Sequence, residues 1–173
     1  MNLFATSIDP AECARSLDDA RVVNQTRETA QLVSTALADA GLFHPYKPTH
    51  QRHPVTRWVL ADGRNFLWAL DHLVALAHEH RHRFPRSSWH ASFQAHAHVI
   101  EACRELPREL PERLQNSARN EGLGLDFTHL EPTQAYRAYL AERWRMAREA
   151  GRPPRWSSRG APWWLLGDRS TNP

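Results

Sequence analysis

The chain is poor in lysine and cysteine, and no apolar run in it approaches the roughly 20 residues of a membrane-spanning helix. Lys47 is its one lysine, and Cys13 and Cys103 each lack a second cysteine at the spacing of a redox or metal motif. Two isolated thiols are typical of a protein in a reducing compartment. The amino-terminal residues also lack the basic and apolar segments of a signal peptide. We therefore expect a cytoplasmic protein that does not associate with membranes.

The composition excludes an intrinsically disordered chain, because 41% of the residues are hydrophobic and 9% are aromatic. The length of 173 residues suits one compact domain. The formal net charge is +3, and all basic residues except Lys47 are arginines. A GC-rich coding sequence favours arginine, and arginine is also the better residue for bidentate contacts with phosphate.

Start and stop signals for helices recur along the chain and predict an all-α fold. Asp9-Pro10 combines an N-cap with a proline suited to the first turn, Ser88 is a further candidate N-cap, and Gly41 and Gly151 suit helix C-termini. The helical segments predicted in this way cover residues 10–17, 19–40, 54–60, 63–83, 89–106 and 132–150. We expect a single compact helical domain of about five helices over residues 1–173, with an irregular C-terminal tail that is flexible from about residue 165.

Two segments lack a helical pattern. Residues 42–53 contain two prolines and are predicted to form a loop. Residues 107–128 are broken by prolines and glycines and are expected to be irregular, with short helical turns. No alternation typical of a strand persists anywhere, and the sequence has no internal repeat.

A polar face on the second predicted helix is the first candidate site. Arg21, Gln25 and Glu28 are spaced by four and three residues, so they share one face of the helix. A carboxylate held among arginines and amides could stabilise a cationic sugar-like transition state while the arginines hold phosphates. The alternative is a solvated face with a weak Arg–Glu pair. The neighbouring face is predicted to be buried and holds Val22, Thr26, Thr29, Val33 and Ala36.

The loop that follows is the second candidate. Lys47 could contact a phosphate, or act as an amine nucleophile if loss of solvent lowers its pKa. His50 and His53 are candidate nucleic-acid contacts. Their spacing is a weak metal signal, and no cysteine or carboxylate pattern completes a zinc set. The alternative for the whole loop is a rigid surface connection.

A histidine-rich run contains His78-Glu79-His80-Arg81-His82, which fits the HExxH pattern of zinc hydrolases. The predicted helix ends close to His82, and a third ligand is not apparent in the sequence. A zinc hydrolase is therefore a distant alternative, and we expect no metal ion or cofactor.

The C-terminal stretch 143–159 carries six arginines and one glutamate, with Trp144 and Trp156 between them. Basic residues interleaved with aromatic rings suit a phosphate backbone and unstacked bases. In the alternative interpretation the tryptophans fill the core. The residues predicted to bind nucleic acid are Arg21, Gln25, Arg27, His50, His53, Arg152, Arg155, Trp156 and Arg159.

Three short segments together resemble the pyrimidine-dimer DNA glycosylase family, the phage endonuclease V type, and related uncharacterised phage and bacterial proteins. They are residues 17–28, residues 66–84 and Arg152-Pro153-Pro154-Arg155-Trp156. The resemblance implies that Glu28 is the essential acid/base and electrostatic group. It also implies base flipping, a Schiff base with sugar C1′, strand cleavage by β-elimination, and no cofactor.

The same resemblance implies that Arg27 contacts the lesion strand and that Arg21 lies in the DNA interface. In the family, the nucleophile is the α-amine of a small residue that is exposed by removal of the initiator methionine. Here that residue is Asn2, which is a poor context for the removal, and Gln31 replaces a family arginine.

We therefore expect Glu28 and Lys47 to be the catalytic residues, with an intact α-amine of Met1 as the second choice of amine. The expected function is a DNA glycosylase with abasic lyase activity that acts as a monomer on DNA. An enzyme acting on another modified base or nucleotide and a non-catalytic nucleic-acid-binding module are the alternatives.

Overall fold

The computed structural model describes residues 2–85 and 88–166, and these residues are mostly helical. The all-α prediction is confirmed, with short strands as a minor addition. The α-helices are α1 (Pro10–Ser16), α2 (Asp19–Asp39), α3 (Pro54–Ala61), α4 (Gly63–Arg83), α5 (Ala91–Ala95), α6 (Ala97–Ala102) and α7 (Pro132–Glu149). Short 3-10 turns occur at Glu121–Leu123 and Trp163–Leu165.

Local signals determine most of the helix ends. The side chains of Asp9 and Asp62 each accept a hydrogen bond from the backbone N–H two residues later, at 2.8 Å. These bonds satisfy N–H groups that have no partner inside a helix. Gly41 and Gly151 adopt positive φ angles of 70° and 71° just after α2 and α7, where a residue with a Cβ would be strained. The helix boundaries predicted at these positions are confirmed.

The two long helices α2 and α4 pack against each other at the centre of the fold. All five residues of the stripe predicted to be buried on α2 are buried. Tyr136, Leu140 and Trp144 of α7 join the same core as Leu17 and Val22. Burial of this much apolar surface holds α2 in place, and α2 is the helix that carries Glu28.

The single helix predicted for residues 89–106 is wrong. Two short helices replace it, and the break falls at the buried residue His96. The His96 ring bonds the carbonyl of Ser92 through Nδ1 at 2.7 Å and the hydroxyl of Ser34 through Nε2 at 2.8 Å. His90, rather than Ser88, caps α5. The contact with Ser34 of α2 outweighs the local preference for one continuous helix.

Residues 107–128 are largely irregular, as predicted, but they also contain a small antiparallel sheet that was not expected. Strands β1 (Arg119–Asn120) and β2 (Leu125–Asp126) pair Arg119 with Asp126. Gly124 closes the turn between them with a φ of +64°. Strands of two residues are too short to show a pattern of alternation in the sequence.

After α7 the chain folds back over the core. The indole N–H of Trp156 donates to the carbonyl of Ser16 at 3.1 Å. Trp156 and Trp164 both contact the buried ring of Trp144, with centroid distances of 5.0 and 5.6 Å. The flexible tail predicted from about residue 165 falls mainly on 167–173, which lie outside the described residues. Within the part that is described, no helix has the length and apolar character needed to cross a membrane.

Candidate active site

A cleft of about 920 Å³ opens beside the polar face of α2. One wall consists of the N-terminal segment, α2 and the start of α3. The other wall consists of residues from the segment 116–128 together with Tyr139 and Arg143 of α7. Arg21, Gln25, Glu28 and His53, four of the residues predicted for the site, line this cleft.

Glu28 lies half-buried in the wall of the cleft. Its Oε2 atom accepts a hydrogen bond from the backbone nitrogen of Asn2 at 3.2 Å. Within 2–85 and 88–166, no arginine, lysine or histidine forms an ion pair with this carboxylate. Arg21 instead bonds both carboxylate oxygens of Asp18, at 3.0 Å. Glu28 thus borders the cleft without a cationic partner from the described part of the chain.

The backbone nitrogen of Asn2 is held in place by its surroundings. The side-chain amide of Asn2 donates through Nδ2 to the carbonyl of Ser117 at 3.2 Å and accepts through Oδ1 from the backbone N–H of Leu3 at 2.9 Å. Leu3 is buried, and Phe4 stacks on Tyr139 with a centroid distance of 6.0 Å. The N-terminal segment thus connects the cleft wall formed by α2 to the wall formed by residues 116–128.

His53 borders the cleft at the start of α3, where its Nδ1 atom accepts from the N–H of Val55 at 3.2 Å. Burial lowers the pKa of His53, repulsion between cationic groups lowers it further, and Glu28 opposes the shift. A lowered pKa favours a neutral imidazole at neutral pH. His53 can therefore offer a ring nitrogen to a ligand without adding a positive charge.

Glu28 also borders a second pocket, of about 670 Å³, which holds Arg27, Lys47 and His50. Gln31 fixes the loop of this pocket to α2, because its amide donates to the carbonyl of Lys47. The N–H of Thr49 adds a bond to the hydroxyl of α2 residue Thr35 at 3.2 Å. These bonds attach the loop to α2 and bring Lys47 and His50 beside Arg27 and Glu28 of that helix.

Sequence reasoning missed several groups of the cleft. Arg143 of α7 donates to the hydroxyl of Tyr139 at 3.0 Å and has no carboxylate partner in the described chain. Arg119 of β1 pairs with the exposed carboxylate of Glu121 at 3.4 Å. Arg143 belongs to the basic C-terminal stretch, but nothing in the spacing distinguishes it from its neighbours. Arg119 carries no signal in the sequence at all.

The predicted C-terminal residues do not line the cleft with Glu28. Arg159 donates to both oxygens of Glu79 at 2.8 and 2.9 Å and borders a different pocket. Trp156 packs on the core, as the alternative interpretation held, while Arg152 and Arg155 are exposed. Contact between these four residues and nucleic acid stays a prediction.

The HExxH run does not form a zinc site in this fold. Its glutamate, Glu79, is buried and bonds the guanidinium groups of Arg83 and Arg159. A carboxylate engaged in this way is not free to activate a metal-bound water. Residues 2–85 and 88–166 contain no group of three or more His, Cys, Asp or Glu arranged to hold a metal ion.

The model of the pyrimidine dimer DNA glycosylase family matches residues 1–91, which is more than half of the chain. The chain belongs to this family. The resemblance seen around Glu28 is confirmed, and the match includes the N-terminal segment, α2, the loop of the second pocket and α3. No curated protein and no solved structure matches the chain significantly. The cleft wall formed by residues 116–128 and α7 lies outside the matched region.

Proposed function

We propose that this protein is a DNA glycosylase that releases a damaged pyrimidine, with Glu28 as its acid/base and electrostatic group. The observation that carries the proposal is the half-buried carboxylate of Glu28, which has no cationic partner in the described residues and contacts the Asn2 backbone nitrogen in a cleft. Membership in the pyrimidine dimer DNA glycosylase family supports the same chemistry.

Cleavage of the bond between sugar C1′ and the base nitrogen places positive charge on the sugar. A nearby carboxylate stabilises that charge, as it does in glycoside hydrolysis. In the hydrolytic route, Glu28 takes a proton from water, the water oxygen bonds C1′, and the base leaves with the electron pair of the broken bond. The target nucleotide has to leave the helical stack before its C1′ can reach Glu28.

In the covalent route, an amine attacks C1′ in place of water, and the base leaves with the electron pair of the glycosidic bond. The C1′–O4′ bond then opens, O4′ takes the proton that the amine nitrogen loses, and the Schiff base left at C1′ permits β-elimination and strand cleavage. Hydrolysis of the Met1–Asn2 peptide bond would convert the Asn2 nitrogen into a primary amine that lies 3.2 Å from Glu28. Lys47 is the alternative amine. Asn2 is the better placed of the two, because Lys47 makes no ion pair with Glu28 in the part of the chain that is described.

The remaining residues of the two pockets would hold DNA. Arg21, Arg119 and Arg143 line the cleft, and Arg27 and Lys47 border the adjoining pocket. Guanidinium and ammonium groups at these positions suit the phosphates on either side of an extruded nucleotide. This arrangement supports DNA as the partner.

The test is base release from duplex oligonucleotides that carry one thymine dimer, with borohydride present to trap a Schiff base. We expect Glu28→Gln to lower base release by about 100-fold or more, because it removes the acid/base group. The same variant should retain DNA binding, since the amide keeps the shape of the side chain. Wild-type protein that releases no base and forms no trapped adduct would contradict the proposal.

The position of a trapped adduct identifies the amine. Peptide mass spectrometry should locate it on Asn2 if Met1 has been removed, and Lys47→Ala should then leave trapping intact. An adduct on Lys47 would contradict the assignment to Asn2. Base release without any adduct would indicate the hydrolytic route.

A second candidate is excision of a modified pyrimidine other than the dimer. The observation that favours it is the cleft wall formed by residues 116–128, which lies outside the family match. A panel of duplexes with oxidised or alkylated pyrimidines tests it. Activity on one of these substrates that Glu28→Gln abolishes, without activity on the dimer, would select this candidate.

A further inference from the structure

Gln25 lies one helical turn before Glu28 on α2, in the wall of the cleft. The sequence pattern places Gln25 on the polar face of the helix with Arg21 and Glu28, yet Gln25 is only 2% exposed. Its amide oxygen Oε1 is shielded from solvent and has no hydrogen-bond partner among residues 2–85 and 88–166.

A buried amide oxygen without a partner destabilises a folded protein, because it gives up hydrogen bonds to water and gains none in return. Methionine has nearly the same length and would fill the same space without that cost. An amide oxygen that has no partner among the described residues, in the wall of a cleft and beside a carboxylate without a cationic partner there, indicates a partner that arrives with the ligand.

The substrate of the proposed reaction supplies such a partner. The glycosidic bond joins C1′ directly to the base, so a base released at Glu28 has to lie within a few Å of it. Residues three apart on a helix have Cβ atoms about 5–6 Å apart, which places Gln25 at that distance from Glu28. The amide of Gln25 and the edge of the base would therefore be neighbours.

The hydrogen-bonding groups of the Gln25 amide also match those on the edge of a pyrimidine. A primary amide offers an acceptor and a donor side by side. Thymine presents a ring N–H beside a carbonyl oxygen, and cytosine presents a ring nitrogen beside an amino group. By rotating its amide, glutamine can make two hydrogen bonds to either edge.

We infer that Gln25 is a specificity-determining residue that pairs through its amide with the hydrogen-bonding edge of the pyrimidine to be released. The inference rests on the proposed function of Glu28. In this arrangement Glu28 acts on the sugar at C1′, and Gln25 binds the base. DNA that lacks the base at this position should therefore not need the Gln25 amide.

The experiment compares wild-type protein with Gln25→Met on two matched duplexes. One carries the pyrimidine lesion, and the other carries a tetrahydrofuran abasic analogue at the same position. We expect Gln25→Met to lower kcat/KM for base release by about 10- to 100-fold, the effect of losing a paired amide contact to a base. The Kd for the analogue should change less than about 3-fold, and Tm should be equal or higher.

Gln134→Met is the matched control, because Gln134 is an exposed glutamine of α7 that does not line the cleft. It should behave as wild type on both duplexes. Base release at the wild-type rate by Gln25→Met would overturn the inference and leave the role of Glu28 intact. Equal losses on both duplexes would also overturn it, because they indicate a general structural role. A wild-type protein without base release would overturn both proposals.

Discussion

Arg143 reaches the cleft from α7 and contacts the uncharged side chain of Tyr139. Its guanidinium donates to the Tyr139 hydroxyl at 3.0 Å and lies 5.8 Å from the centre of the Tyr139 ring. By contrast, Arg145 of the same helix is exposed and bonds the carboxylates of Glu142 and Glu149. The guanidinium of Arg143 can therefore bind an anionic ligand more readily than that of Arg145, although nothing in the sequence distinguishes the two arginines.

We expect Arg143→Ala to weaken binding to duplex DNA several-fold and to reduce the slope of log K against log salt concentration by about 1, because one phosphate contact is lost. Arg145→Ala should change neither quantity, since two carboxylates already neutralise this side chain and it does not line the cleft. Fluorescence anisotropy titrations at several salt concentrations measure both. Equal effects of the two substitutions would rule out the specific role of Arg143.

At the scale of the elements, a buried charge cluster joins α4, the start of α2 and the C-terminal segment. Arg83 is fully buried and donates to Glu79 at 2.7 Å, to Asp19 at 3.1 Å and to the carbonyl of Arg15 at 3.0 Å. Asp19 also accepts from the hydroxyl of Ser157 at 2.7 Å. The cluster fixes the N-terminal end of the helix whose next turns carry the candidate site.

Arg83→Met is expected to reduce the free energy of unfolding by about 3 kcal/mol, because it leaves the buried carboxylate of Glu79 with one guanidinium and removes a partner from Asp19. The double variant Arg83→Met with Glu79→Gln should lose less, since the uncompensated charge is gone. Urea denaturation followed by circular dichroism gives both values. A double variant that is less stable than the single variant would show that charge compensation is not the reason.

Helix ends could be predicted from the sequence where the signal is local. Asp9, Asp62 and Gly41 act on backbone groups within a few residues of themselves. The break at His96 could not be predicted, because it depends on a hydrogen bond to Ser34, 62 residues earlier in the chain. The two-residue strands were missed because they are too short to produce a pattern.

The same distinction applies to the candidate site. The sequence alone predicts that Glu28 shares a helix face with Arg21 and Gln25, because all three lie on one helix. The contact between Glu28 and the Asn2 nitrogen requires the N-terminal segment to fold across α2, which no local signal reports. Likewise, the arrival of Arg143 in the cleft depends on how α7 packs against the core.

At the scale of the whole molecule, the region that matches the family model lacks part of the hydrophobic core of the fold. Tyr136, Leu140 and Trp144 of α7 are buried in the same cluster as Leu17 and Val22. The matched region ends at residue 91, so all three α7 side chains lie beyond it. The family match and the unit that folds are therefore not the same part of the chain.

We expect a fragment of residues 1–91 not to fold by itself, because loss of α7 and the C-terminal tryptophans would expose the apolar surface they cover. Thermal unfolding of the fragment should show no cooperative transition, whereas the full chain should show one. Circular dichroism and calorimetry make the comparison. A cooperative transition in the fragment would mean that its core is sufficient without α7.

Lys47 gives this molecule a property that most proteins of its size lack. Its exposed ε-amine is the one lysine amine in the chain and stands at the rim of the pocket beside Glu28. Apart from the α-amine of the chain, a fluorophore that reacts with amines would therefore attach to one group only, the side chain of Lys47 next to Glu28. The emission of such a dye would report the arrival and departure of DNA at that rim, without a reporter having to be engineered into the protein.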